Sequence, residues 1–386
     1  MATESSAGGL PAGLEEQRLV YDGRLGAIYG IFIKTLLLAI VTLGIYRFWG
    51  KTNMRRYVWS HVSFQGDRLE YTGTGGELFK GFIIVVGFVF IAGIARTALE
   101  LAFGSLSAVA VVAQLLFIVA VVYLAFVAHY AAQRYRLTRT LWRGIRGGVS
   151  GSAWSYGIKA MLYSLISSFT FFLAQPWASF RLLELRLNNS YLGDAKALAS
   201  LQASEVFGRY IAGYGIMLVL FVGFIALAIL AVGSSGLAQD FLEIIQATAE
   251  GRTPDTTQVD MTSIAIALGL FYAGFAVWGI LGSTIAFAWY WAGVAGEVAA
   301  RLEVAGLRFR SDITAGGLIG LYIGNMLIVV FTLGLGLPIA LHRSLRFFTG
   351  RYGILGRLDP DRLTQTTLDR PRTGEGLLEA FDPGLF

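Results

Sequence analysis

The sequence predicts an all-α polytopic membrane protein. It would have four full spans and three re-entrant or kinked apolar helices in a repeated pattern, joined by short cytoplasmic β-hairpins. Three observations predict this. Of 386 residues, 55% are hydrophobic and 15% charged, with a mean hydropathy of +0.62, whereas a soluble domain carries about 25% charged residues. Stretches 81–95, 101–133, 210–239 and 261–296 hold no Asp, Glu, Lys or Arg, and ~20 apolar residues of helix cross a bilayer core. Lys and Arg also crowd into some connecting segments and avoid others, which is how membrane topology is written in sequence.

The chain opens on 1–19, which is small, polar and net acidic, without the basic start or apolar stretch of a signal peptide. It reads as a disordered cytoplasmic tail. Beyond it, basic segments flank three apolar runs on both sides, at 26–48, 154–180 and 314–341. Two connecting segments are poor in Lys and Arg: the one near 96–104, and 233–262, where Arg252 stands against Asp240, Glu243, Glu250, Asp255 and Asp260. The positive-inside rule puts these two outside and every other segment in the cytoplasm. Runs 78–95, 108–132, 210–232 and 264–295 then cross fully, and the three flanked runs dip in and return. The competing arrangement is seven full spans, which places basic 181–209 outside and acidic 233–262 inside.

The three flanked runs share a bend. At equal offsets they read Thr42-Leu43-Gly44 with Phe48, Thr170-Phe171-Phe172 with Pro176, and Thr332-Leu333-Gly334 with Pro338. Gly and Pro release backbone groups from the helical ladder, which membranes tolerate only where protein or a wet cavity surrounds them. Strand-like pieces with turn residues stand between the runs: Phe64–Leu69, Trp142–Gly144, Tyr191–Asp194, Val304–Arg308 and Thr349–Gly353. Together they can pair into a small sheet. Tyr21-x-Gly23-x-x-Gly26 and Tyr71-x-Gly73-x-x-Gly76 match each other as well. Residues 20–357 thus read as a single membrane domain with internal repeats at about 20–133, 134–300 and 301–357, and polar 358–386 reads as a cytoplasmic tail.

The start at Tyr21–Gly26, then Thr42-Leu43-Gly44-Ile45-Tyr46, Phe48-Trp49, Arg55-Arg56-Tyr57, Gly66-Asp67 and Tyr71-Thr72-Gly73 resemble the YjgN family. This is a group of uncharacterised bacterial inner-membrane proteins, domain of unknown function 898. The first 82 residues carry the resemblance most closely. It implies a multi-pass protein of the bacterial inner membrane and brings no catalytic residue, substrate or cofactor with it. The family commonly has Pro where this chain has Phe48, so the first bend lacks its expected breaker.

Few residues invite chemistry. The chain has no cysteine and three histidines, so disulfides and thiolate metal sites are excluded, and His61, His129 and His342 show no metal-ligand spacing. No metal, cofactor or catalytic residue is predicted. Lys34 lies inside an apolar run, where a charge costs about 2.5–3.5 kcal/mol at mid-helix; snorkelling to the interface competes with a pathway role. Gln175 and Asn325 are the other polar candidates, with interhelical hydrogen bonding as their alternative. Gly316, Gly320 and Gly324 lie on one helical face and predict a close helix contact, internal or with another copy. Gly73-Thr74-Gly75-Gly76 is either a tight turn or an anion cradle at a helix start.

Three functions compete on this footing. A transporter or channel-like protein would use broken helices and mid-membrane polar residues. A non-catalytic membrane scaffold or partner-binding protein would present its basic face to anionic cytoplasmic lipid, a membrane-protein partner or a second copy. A lipid-modifying enzyme would need an interfacial site at His61, Arg55 and Arg56, without motif support. The net charge of +6 fits basic loops against anionic lipid and does not call for nucleic acid. Both termini are predicted to be cytoplasmic.

Overall fold

The computed structural model describes residues 16–234, 237–252 and 261–368. Most of the expected tail 1–19 and residues 369–386 of the other tail lie outside them, as does Asp255–Asp260. Two compact units divide the chain.

The first unit, Met1–Ser204, Ala295–Ile313 and Asn325–Phe386, contains eleven strands among the described residues. They are β1 (Glu16–Arg18), β2 (Val20–Tyr21), β3 (Val62–Phe64), β4 (Asp67–Tyr71), β5 (Thr140–Trp142), β6 (Ile145–Val149), β7 (Ser190–Leu192), β8 (Ala195–Ala199), β9 (Leu302–Val304), β10 (Leu307–Ser311) and β11 (Tyr352–Leu355). All pairings are antiparallel, in the order β1-β11-β10-β9-β8-β7-β6-β5-β4-β3-β2. The two edge strands are consecutive in the chain, with Leu19 alone between them, so the sheet comes round into a nearly closed barrel.

This overturns the all-α class. The protein is mainly helical but organised by a sheet. Strands of two to five residues are too short to stand alone. They form because each is held beside its neighbour by a tight turn or by a helical excursion. Three turns put both central residues at positive φ, Gln65-Gly66 (52° and 82°), Arg143-Gly144 (49° and 75°) and Ala305-Gly306 (51° and 77°). That is the hairpin turn whose twist matches the strands. The sequence pieces at 64–69, 142–144 and 304–308 are these hairpins, and 191–194 turns β7 into β8 with Gly193 alone at positive φ (60°). The piece at 349–353 is not one, since Thr349–Arg351 closes a helix and only the residues from Tyr352 are strand.

Helices leave and rejoin the sheet. They are α1 (Leu25–Val41), α2 (Arg47–Ser60), α3 (Gly75–Phe103), α4 (Ala108–Thr138), α5 (Ala153–Phe169), α6 (Gln175–Asn188), α7 (Ser204–Ser234), α8 (Leu237–Ala249), α9 (Met261–Val277), α10 (Ser283–Arg301), α11 (Ala315–Phe331) and α12 (Leu337–Arg351). Among the described residues, four helices are long and apolar enough to cross a membrane: Gly75–Phe103, Ala108–Thr138, Ser204–Leu230 and Ala265–Arg301. By contrast α1, α5 and α11 have 17 residues each, about 25 Å at 1.5 Å per residue, short of the ~30 Å core.

The strand pairing decides where these shorter helices go. The α1–α2 excursion runs from β2 to β3, and β2 pairs with β3. The α5–α6 excursion runs from β6 to β7, and α11–α12 from β10 to β11, each again a paired couple. Each therefore goes out and returns to a neighbouring strand. The seven-span alternative, in which these runs continue straight through, is not the path of the chain. The α3–α4 pair makes the same excursion between β4 and β5 with longer helices.

The second unit, Glu205–Val294 and Thr314–Gly324, holds α7–α9 and most of α10. Tyr210 meets Tyr290 at 5.2 Å between ring centroids, Phe221 meets Trp278 at 5.1 Å and Phe224 meets Phe271 at 5.4 Å. The partner number falls as the first number rises, so α7 runs antiparallel to α9–α10. At the crossing, a Cβ on Gly213 would lie 2.6 Å from the Ala286 carbonyl oxygen, a close approach that only glycine permits. A π-helical turn at Trp278–Gly282 joins α9 to α10.

Candidate functional site

The three bends are built alike. Leu43 and Gly44, Phe171 and Phe172, and Leu333 and Gly334 all have positive φ. Thr42 donates its hydroxyl to Leu38 O at 2.7 Å and accepts from Tyr46 N at 2.9 Å. Thr170 does the same with Ile166 O and Ala174 N at 3.0 and 3.1 Å, and Thr332 with Ile328 O and Gly336 N at 2.6 and 2.7 Å. One hydroxyl thus closes the first helix and starts the second. Pro176 and Pro338 occupy the first turns of α6 and α12, where a missing N–H costs nothing. Phe48 replaces Pro at the first bend without loss of its shape, because the threonine and the left-handed pair make the turn.

The junction of α2, α3 and α4 with the sheet gathers a dense set of polar contacts. Thr74 caps α3 and forms a capping box with Glu77. Glu77 also accepts from the Tyr135 hydroxyl at 2.7 Å and pairs with Arg139 at 2.6 Å. Arg56 donates to Gly73 O at 2.8 Å, and Trp59 Nε1 donates to the Thr140 hydroxyl at 3.0 Å. Arg55 is buried and reaches the Tyr71 hydroxyl at 3.4 Å. Gly75 lies so near Trp49 that a Cβ would sit 2.8 Å from that residue's Cα. The Gly73–Gly76 stretch is therefore a capped helix start under a close helix contact. Its glycine serves packing, and Glu77 occupies the anion's place. With both carboxylate oxygens engaged, Glu77 acts as a lock between α3 and α4.

The Tyr-x-Gly motif has the same kind of reason. Tyr21 and Tyr71 fold back over Gly23 and Gly73, whose Cβ atoms would lie 2.3 and 2.6 Å from the phenol rings. Burial, then Tyr57, pushes the Tyr21 pKa up to about 12.

A second feature closes the inside of the sheet. Phe64, Trp142, Leu307 and Ile354 from four strands converge with Leu358 from the segment after β11 in one buried cluster. The chain then straps across the hairpins. Thr364 N donates to the Asp194 carboxylate and Asp194 N to Thr364 O at 3.1 and 3.0 Å, while Arg146 donates to Leu368 O at 2.6 Å. These bonds from Thr364 hold the Asp194 carboxyl below its usual range. A cavity of about 300 Å³ beside the strap is lined by Asp194, Ala305, Arg357, Asp359 and Arg362 among others.

The residues singled out in the sequence are dispersed. Lys34 is exposed on α1 and Gln175 is exposed at the first position of α6. Asn325 Nδ2 donates to Ala340 O and the Ser344 hydroxyl at 3.3 and 3.0 Å, tying α11 to α12, while its Oδ1 is buried without a partner. A Cβ at Gly316 or Gly320 would meet nothing within 4 Å. His61 bonds back to Tyr57 O at 2.8 Å, and His342 faces the Tyr21 hydroxyl at 3.4 Å. Arg55 and Arg56 turn to Tyr71 and Gly73, so the trio named for an interfacial enzyme is directed to different partners. Glu297 and Arg301 pair across one helical turn of α10 at 2.5 Å. Sequence reasoning passed over Glu77, although Thr74-x-x-Glu77 is a capping-box signature. It also passed over the strap, which carries no local signal.

The chain is 34% identical over 67 residues to the inner membrane protein YjgN of Salmonella typhimurium, covering 17% of each chain. It is 34% identical over 71 residues to the proteins of the same name from Escherichia coli O157:H7 and K12, covering 18% of each. The matched segment thus spans under a fifth of those relatives' length. No solved structure matches. The profile of the family described as bacterial protein of unknown function, DUF898, matches residues 16–380. Across nearly its whole length, then, the chain belongs to the DUF898 family, whose YjgN-named relatives are proteins of the inner membrane.

Proposed function

We propose that this is a multi-pass inner-membrane protein that works as a non-catalytic scaffold, its sheet forming a platform on the cytoplasmic face. The observation that carries this reading is the closed interior of the sheet, where Phe64, Trp142, Leu307, Ile354 and Leu358 pack together. A transporter or channel needs gathered polar groups or a wet path; here Lys34, Gln175 and Asn325 stand on separate hairpins and the ring is filled. Arg18, Arg68, Arg143, Arg308 and Arg310 lie on or beside its strands, which supports a cytoplasmic placement of the sheet and both termini under the positive-inside rule. Anionic lipid headgroups suit that basic face. The equal construction of the three bends supports an internal repeat as the origin of the chain.

Conductance separates the scaffold from a channel. Full-length protein in planar bilayers, and a variant ending after Gly356 that lacks the strap, are expected to pass no more current than protein-free membrane. Current through either would move the assignment to a channel-like protein.

A further inference from the structure

The end of the α3–α4 hairpin away from the sheet holds a cleft that the scaffold reading does not use. Its volume is about 830 Å³ and its walls include Val89, Phe90, Gly93 and Ile94 of α3 and Phe117 of α4. Arg96, Thr97 and Gln114 stand at one end of it. Arg96 donates to Gln114 Oε1 at 2.6 Å and to the Thr97 hydroxyl at 3.3 Å, and pairs with Glu100 at 3.1 Å. Arg96 lies 21 residues beyond Gly75, the first residue of α3, about 32 Å along the axis. That distance matches the ~30 Å of a hydrocarbon core. The polar end of the cleft therefore falls at the interface opposite the sheet, and its apolar walls lie one to two turns deeper.

We infer that this cleft binds a zwitterionic aminophospholipid, with an acyl chain along Val89, Phe90 and Phe117, the phosphate on Arg96 and the ammonium on Glu100. The apolar-to-polar gradient along α3 runs in the direction of a lipid standing in that leaflet. The charge pattern selects the headgroup. A guanidinium has five N–H donors, so the protein bonds to Gln114, Thr97 and Glu100 leave capacity for a phosphate. Glu100 does not itself line the cleft, but its pair with Arg96 at 3.1 Å leaves the polar end without net charge, which matches a zwitterion and disfavours a net anion. An arginine alone would prefer the anionic lipid.

The test reconstitutes the full chain with equal amounts of phosphatidylethanolamine and phosphatidylglycerol and counts retained lipid by native mass spectrometry. Wild type is expected to keep one phosphatidylethanolamine, preferred about tenfold, the order of one charge-assisted hydrogen bond. Arg96→Gln is expected to lower its retention by a similar factor. Glu100→Gln is expected to turn the preference toward phosphatidylglycerol. Gly93→Phe fills the cleft, since a Cβ at Gly93 meets nothing within 4 Å, and is expected to expel the lipid with both charges in place. Equal retention of the two lipids by wild type overturns the proposal, as does unchanged retention in Gly93→Phe. Should Arg96→Gln fail to fold by tryptophan emission, the other two variants still decide.

Discussion

Thr332 does the work of two caps with one oxygen, and its removal tests how the short helices turn. Thr332→Val keeps the shape and leaves Gly336 N without its acceptor. The expected cost is about 1–2 kcal/mol, read as a lower midpoint of thermal unfolding in detergent. Thr42→Val and Thr170→Val are expected to act alike, because the hydrogen bonds match. Glycines separate by their surroundings in the same way. A methyl at Gly75 collides with the Trp49 backbone at 2.8 Å, whereas at Gly320 it meets open space. Gly75→Ala should therefore destabilise by about 1–3 kcal/mol, and Gly320→Ala should stay within about 0.5 kcal/mol. The sequence drew attention to the Gly316–Gly324 stripe for its regular spacing. Gly75 sits in a stretch that was noticed, but spacing cannot show that an indole from another helix lies against it.

At the scale of elements, the strap after β11 is the exposed-looking segment with the largest packing role. Leu358 is 3% exposed, so Leu358→Ala is expected to cost about 2–5 kcal/mol, seen as earlier unfolding of the sheet by hydrogen exchange. The Asp194–Thr364 contact makes the strap pH-sensitive. The folded carboxyl titrates below its unfolded value, which is about 3.9. Its contribution is therefore complete above that unfolded value and is lost as pH falls through the lower folded one. Exchange at Thr364 and its neighbours should rise across that acid window in wild type, and Asp194→Asn should remove the dependence. The strap reads as tail because its sequence is polar and aperiodic; its anchors, the Asp194 carboxylate, the Gly144 carbonyl and the Arg146 guanidinium, lie on hairpins some 170–220 positions away.

For the whole molecule, the arrangement of paired strands predicts sidedness. Each helical excursion from β2, β6 and β10 returns to the strand beside it, so the two strands that flank each excursion are expected on one side of the membrane. The chain lacks cysteine, which makes single introduced thiols clean reporters. Under the proposed orientation, Ala195→Cys on β8 is labelled by an impermeant maleimide only after the inner membrane is opened. Gln246→Cys on α8 is labelled from outside in intact spheroplasts. Labelling of Ala195→Cys in intact spheroplasts would reverse or break the topology.

Hydropathy, charge distribution and the bend motif were enough to place the membrane-length helices, the breaks at Thr42, Thr170 and Thr332, and the family. These are local properties, carried by composition and by bonds that span four or five residues. The sheet was legible only as scattered turns. Strands of two to five residues bury too little to announce themselves, and their order depends on contacts between segments as distant as Arg18 and Gly353. The same holds for the Glu77–Arg139 lock and the cluster inside the sheet, each made by residues that no spacing rule connects. Tertiary structure alone decided them, because the return of α4 beside α3 and the pairing of distant strands bring those side chains within reach of one another.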